Sequence, residues 1–264
     1  MNHLTVGEYW NANADAWTRL SRAGHDVLRD QLNTPAFLAA LPPITGLRGL
    51  DVGCGEGHNT RLLARRGASM TAADIAENFI RHARAEEKRA PLGITYERAS
   101  AVELPFGAAE FDFAASFMCL MDIPELERVL AEVFRVLRPG GFFQFSILHP
   151  CFNPPHRRVL RDEERRTYAL EVGDYFLDAR GRVHEWFFGD AVTSARDRLP
   201  TFRIPRFHRP VSEWVNLLIA AGFRLEHLGE PCPSEEAVQL HPSLQDAAVA
   251  AYFLHVRGRK PTEE

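Results

Sequence analysis

The sequence predicts an α/β protein built on a doubly wound, mostly parallel sheet, and three observations carry that expectation. Strand-like and helix-like stretches alternate from residue 46 to 148, the order that a parallel sheet with crossover helices requires. The first apolar stretch, Gly49-Leu50-Asp51-Val52, runs directly into the turn Gly53-Cys54-Gly55-Glu56-Gly57 and then a helical pattern. Alternate glycines let such a turn approach a ligand closely, and the helix that follows offers unpaired N–H groups at its positive end. Asp74 closes the second apolar stretch, twenty-three residues after Asp51, where a carboxylate can accept both hydroxyls of a ribose. The turn is therefore expected to hold a nucleotide-like cofactor.

In chain order, residues 1–44 carry Tyr9, Trp10, Trp17, Leu20 and Leu28 at partly helical spacing, and Pro35, Pro42 and Pro43 mark the entry to the core. This predicts an N-terminal helical cap over 1–44 and a cofactor-binding core over 45–148. Within the core, strands are expected at 49–53, 69–74, 94–98, 111–117 and 142–148, with helices at 59–66, 76–88 and 124–137. The last helix is the clearest, because Leu126, Val129, Leu130, Val133, Phe134 and Leu137 form one apolar stripe. Pro139-Gly140-Gly141 then stops it and turns the chain into the fifth strand. After residue 150 the alternation breaks, and an inserted lid or substrate region is expected over 149–208. A helix over 210–221, ending at Gly222, and strand-like runs at 223–228 and 250–256 make 209–264 the C-terminal part of the core sheet.

The spacing selects among cofactors. A dinucleotide fingerprint would need glycine at position 58, and the chain has His58. With its acidic residue before G-x-G-x-G, and Asp74 closing the second strand, the chain resembles the class I S-adenosylmethionine (SAM)-dependent methyltransferases. Arg135-Val136-Leu137-Arg138-Pro139-Gly140-Gly141 resembles a second signature of that family, a helix stop before a strand. The core motifs are also similar to those of the ubiquinone-pathway methyltransferases. The resemblance implies a Rossmann-like, seven-stranded sheet with a terminal antiparallel hairpin, and SAM as cofactor.

It further implies that Gly53, Gly55 and the turn through Gly57 face the methionine end of SAM, with Asp51 beneath them as a ligand or only as a brace. Asp74 is expected at the ribose, with helix capping as its structural alternative, and Ile75 against the adenine face. The family's usual aspartate at the adenine edge is replaced by Ser100, which leaves a hydroxyl and the backbone N–H of Ala101 to meet it. Phe117 is expected near the methionine end, and Met118 and Met121 near the sulfonium.

Methyl transfer to a hydroxyl calls for alignment and a base. His149, at the end of the fifth strand, is the candidate catalytic base, the alternative being a histidine that only anchors its turn; His184 and His208 are further options. Asn153-Pro154-Pro155-His156 looks like an amine-methylation motif, but it follows the fifth strand rather than the fourth and is read as chance. Phe152, Tyr168, Tyr175, Phe176, Trp186, Phe187, Phe188, Phe202 and Phe207 are read either as a secondary core or dimer surface or as a lid over an apolar pocket; on the lid reading a small, partly apolar or aromatic acceptor is expected. O-methylation is favoured over the alternatives, a quinone or polyketide C-methyltransferase and a non-catalytic SAM-binding regulator.

Composition narrows the rest. With 264 residues, 45% of them hydrophobic, and a net charge of −4, the chain can bury a full core and has no general nucleic-acid signature. No run of about eighteen apolar residues occurs, so neither membrane nor nucleic acid is an expected partner, and a cytoplasmic monomer or homodimer is. Cys54, Cys119, Cys151 and Cys232 form no C-x-x-C pair, so neither a metal site nor a disulfide framework is expected.

Overall fold

The structure is a computed structural model that describes residues 1–188 and 201–262. Five parallel strands form its centre: β1 (Arg48–Val52), β2 (Ser69–Asp74), β3 (Thr95–Arg98), β4 (Phe111–Phe117) and β5 (Leu137–Leu148). Two more strands near the C-terminus, β10 (Arg224–Gly229) and β11 (Phe253–Arg259), pair antiparallel with each other, and β11 also pairs antiparallel with β5. The order across the seven-stranded sheet is β10-β11-β5-β4-β1-β2-β3, so the crossovers run in opposite directions on either side of β1. That switch point opens a crevice at the carboxyl ends of β1 and β4, where open α/β sheets bind ligands.

Both faces of the sheet are covered, which explains why its strands are apolar throughout rather than alternating. On one face α5 (Leu126–Val136) and α6 (Val211–Ala220) bury Val129, Leu130, Val133, Trp214 and Leu218 against Leu50, Val52, Phe143 and Phe145. On the other, α2 (Thr34–Ala40), α3 (His58–Arg65) and α4 (Glu77–Arg89) bury Phe37, Leu63 and Ile80 against Met70, Phe113 and Phe117. Helix α1 (His3–Arg22) lies against α4, with Trp10 packed on Phe79.

The insertion after β5 is not irregular. It holds two antiparallel pairs, β6 (His156–Arg161) with β7 (Thr167–Gly173), and β8 (Arg182–Trp186) with β9 (Phe202–Arg206). Residues 189–200 of the expected insertion lie outside the described residues. Trp186, Phe188 and Phe202 pack around Trp17 of α1, so these strands take their apolar partners from the far end of the chain.

Two expected boundaries shift. The fifth strand begins at Leu137, five residues before the expected 142, because Leu137 pairs with Phe111 and the next pairing is Phe113 with Phe142. Arg138-Pro139-Gly140-Gly141 bulges between these pairs. Gly140 is left-handed (φ 79°), and the bulge is pinned by Gly140 N donating to Lys260 O and Lys260 N to Gly141 O. The last strand occupies Phe253–Arg259 rather than 250–256, because short helices α7 (Glu235–Leu240) and α8 (Gln245–Val249) precede it. No described helix is long and apolar enough to cross a membrane.

Candidate active site

A cavity of about 240 Å³ occupies the crevice at the switch point, walled by the glycine turn, the ends of β2, β4 and β5, helix α1 and the inserted strands. Asp51, Gly53, Gly55, Asp74, Ile75, Ser100, Ala101, Phe117 and Met118 all stand in its wall. Gly57 and His149 do not.

The glycine turn hangs from β2. The N–H groups of Gly53 and Cys54 both donate to Ala73 O, at 2.8 and 3.0 Å. The two glycines facing the cavity are needed for different reasons. A Cβ on Gly53 (φ 73°) would come within 2.1 Å of Cys119 Sγ, whereas a Cβ on Gly55 (φ 55°) would meet no protein atom within 4 Å. The space beside Gly55 is thus a cradle that a ligand can enter. Gly57 (φ 86°) caps α3, and a Cβ there would lie 2.5 Å from the Tyr96 hydroxyl. Gly57 packs on Tyr96 under the turn and stands outside the cavity wall.

Asp74 stands in the cavity wall as a brace between two loops. Its Oδ1 accepts from Ala76 N and its Oδ2 from Gly55 N, each at 2.8 Å, so it ties the start of α4 to the glycine turn. Each oxygen has a second lone pair free to accept a further hydrogen bond. Burial raises its pKa to about 6 against the pull of those two N–H groups. Asp51 is more extreme: 1% exposed, it accepts from Thr60 Oγ1 at 2.5 Å through Oδ2, and its Oδ1 has no partner. Burial lifts its pKa to about 7, opposed by the Thr60 hydroxyl and aided by the nearby Asp74 charge. Two elevated carboxylates, one with an orphaned oxygen, favour a cationic ligand in this half of the cavity.

Ser100 Oγ accepts from Val102 N at 3.2 Å, holding the turn after β3 so that Ala101 reaches the wall. Met118 is left-handed (φ 52°), a costly backbone for a side chain of that kind. It is held by its N–H donating to Ser146 O at 3.0 Å.

His149 is redirected by its neighbours. It is 4% exposed, Cys151 N donates to its Nδ1 at 3.2 Å, and its Nε2 pairs with Glu230 Oε1 at 2.7 Å. With Nδ1 accepting, the Nε2–H points to Glu230; in this arrangement His149 holds the turn after β5 and stands outside the wall of the main cavity. His184 and His208 line a smaller adjoining cavity of about 50 Å³, and His208 Nε2 is within 2.8 Å of Tyr175 O.

Sequence reasoning missed four polar residues of the main wall. Glu56 is 7% exposed and bonds Arg22 at the end of α1 at 2.7 Å, closing the cap onto the glycine turn. Arg29, in a π-helical turn before α2, brings a guanidinium to the wall. Asp122, at the foot of the 3-10 turn Leu120–Asp122, and Arg206, on β9, also line the wall. Glu56 lies within the glycine turn itself; the other three carry no motif and reach the cavity by tertiary packing. Among the described residues no three His, Cys, Asp or Glu side chains gather as a metal ligand set.

Comparison with known proteins matches residues 50–145 to a family described as a methyltransferase domain. An S-adenosylmethionine-dependent methyltransferase structure from Mesorhizobium loti superposes with a TM-score of 0.68 at 31% identity, covering 85% of this chain and 96% of that one. A ubiquinone biosynthesis O-methyltransferase from Hahella chejuensis is 32% identical over 150 residues, covering 56% of this chain and 57% of its own length. A 24-methylenesterol C-methyltransferase from Oryza sativa subsp. japonica is 35% identical over 128 residues, covering 46% and 35%. The chain therefore spans only part of these two curated relatives. Fold, cradle and near-complete coverage of the Mesorhizobium structure agree, and the chain belongs to the S-adenosylmethionine-dependent methyltransferases.

Proposed function

We propose that this chain transfers a methyl group from SAM to a small-molecule acceptor, with a hydroxyl oxygen as the atom methylated. The observation that carries the reading is the open cradle at Gly55 beneath the Asp74 carboxylate, beside the orphaned Oδ1 of Asp51. A ligand with an ammonium, a sulfonium and a ribose meets each of those features. Asp51 suits the ammonium and Arg29 the carboxylate of the methionine end, Asp74 the ribose hydroxyls, and Ile75, Ser100 and Ala101 the adenine; Phe117 and Met118 line the way to the sulfonium. When bound, the cofactor supplies a methyl carbon already activated toward displacement.

The chain's own contribution is alignment and exclusion of water. Helix α1 brings His3, Val6, Trp10 and Trp17 over the cavity, and the inserted strands add Trp186 and Ile204, leaving an acceptor half that is apolar and aromatic. C-methylation is the second reading, favoured by the similarity to the sterol enzyme. Calorimetric titration with S-adenosylhomocysteine tests the cofactor assignment. Saturable one-to-one binding, lost in Asp74→Ala, is expected; absence of binding by the wild-type chain defeats the proposal.

A further inference from the structure

Asp122 is a buried carboxylate for which the fold has no use. It is 3% exposed, its Oδ1 has no hydrogen-bond partner, and it faces the cavity. Arg206 lines the same cavity, and its charge is felt at Asp122 although the two close no ion pair. Their spacing is fixed from both sides: Phe207 N donates to Met121 O at 3.0 Å, and the Arg209 guanidinium donates to Ile123 O and Pro124 O. Arg206, Met121 and Leu148 also line the smaller adjoining cavity, so this pair sits where the two spaces meet.

We propose that Asp122 and Arg206 form the polar seat of the acceptor, an aromatic hydroxyl whose proton passes to Asp122 and whose oxyanion faces Arg206. The inference rests on the methyltransferase reading above. A hydroxyl fits both groups, since it offers a proton to the carboxylate and, once ionised, a negative charge to the guanidinium. An ammonium would lie against Arg206, and a carboxylate acceptor against Asp122. Trp17 and Trp186, packed on each other in the cavity wall, add aromatic surface for a ring to contact. The acceptor's O–H bond breaks with its proton on Asp122, and the oxygen's electron pair forms the new bond to the methyl carbon. The carbon–sulfur bond breaks with its electrons kept by sulfur, and Asp122 later returns the proton to solvent.

Burial makes the carboxylate basic enough for this, holding its pKa at about 7 while Arg206 pulls it down. Cys119, on the same turn, is kept as a thiol by burial, and Asp51 and Asp74 line the same cavity.

The test begins with S-adenosylhomocysteine binding to wild type, Asp122→Asn and Arg206→Gln. Equal affinities are expected, and failure of the wild type to bind sinks the methyltransferase reading rather than this one. Para-nitrophenol is then titrated into each complex and followed by its phenolate absorbance. Below the phenol's own pKa, Asp122→Asn should bind it roughly tenfold more weakly, having lost a charge-assisted acceptor. Above that pKa it should bind at least as tightly as wild type, while Arg206→Gln should be the weaker variant. Labelled methyl transfer to para-cresol should fall at least about a hundredfold in Asp122→Asn, the contribution of a placed base, with pre-ionised para-nitrophenol nearly unaffected. Equal losses on both phenols would make Asp122 merely structural, and no binding of either phenol by the wild-type complex would overturn the proposal.

Discussion

Replacing Asp122 by asparagine should make the protein more stable, and more so at alkaline pH. The carboxyl's pKa stands at about 7 in the fold, with burial the dominant cause, against about 4 in an unfolded chain. Below about pH 4 it is protonated in both states and has no effect on stability. Between about 4 and 7 the native state holds a proton that the unfolded state releases, so stability falls as pH rises, and above 7 the full cost is present. Three pH units at about 1.4 kcal/mol each set that cost on the order of 4 kcal/mol. The asparagine amide keeps the shape but leaves buried polar atoms without partners, which gives back about 1–3 kcal/mol. A net gain of roughly 2 kcal/mol at pH 8 corresponds to a rise in Tm of roughly 4–8 °C for a chain of this size. Thermal unfolding by circular dichroism, at pH 8, 6 and 4.5 without ligand, reads it directly. Asp51 and Asp74 impose the same pH trend on both proteins, so the difference between them isolates Asp122. A variant less stable than wild type at pH 8, or a gap that does not shrink toward acid, refutes the argument that Asp122 is a buried, unrelieved charge.

The two glycines of the cradle should separate folding from binding. Gly53→Ala drives a Cβ into Cys119 and is expected to lower Tm markedly, whereas Gly55→Ala costs only about 1 kcal/mol of left-handed strain yet weakens S-adenosylhomocysteine binding; the reverse ranking in a paired melt and titration would contradict the geometry. Asp74→Asn keeps one acceptor but must turn a donor toward Gly55 N or Ala76 N, so its affinity for S-adenosylhomocysteine should drop at least about tenfold, the scale of one lost charge-assisted hydrogen bond. Ser100→Asp retains an acceptor for Val102 N and should bind S-adenosylhomocysteine as well as wild type or better, with Ser100→Leu weaker; three equal affinities would put the side chain outside the adenine contact. His149→Asn should leave S-adenosylhomocysteine and para-nitrophenol binding unchanged while lowering stability by about 1–2 kcal/mol through its lost hydrogen bonds, and a selective loss of methyl transfer would restore the histidine to catalysis.

Much of this molecule is local, and local features were legible. The α5 stripe from Leu126 to Leu137 needs only its own 3.6-residue period and one sheet face to define a helix. The glycine turn needs only its backbone, because Gly53 and Gly55 are left-handed at positions where side chains are rarely tolerated. Asp74 is fixed by being the last residue of β2, so its place at the cavity followed from strand length. What the order of residues could not supply was the direction of side chains set by distant partners. His149 ends the right strand, but Glu230, 81 residues on, claims its Nε2. Gly57 belongs to the motif, yet Tyr96 decides what its glycine is for. Strands β8 and β9 of the insertion were invisible because their apolar residues answer to Trp17 of α1 rather than to one another's alternation. Asp122 and Arg206, 84 positions apart in the chain, face one cavity only because β9 is tied to the turn after β4. Sequence by itself determined the elements of the core sheet and the glycine turn, whose spacing is contained in single turns; tertiary packing decided the insertion and the far side of the cavity, where the walls come from different parts of the chain.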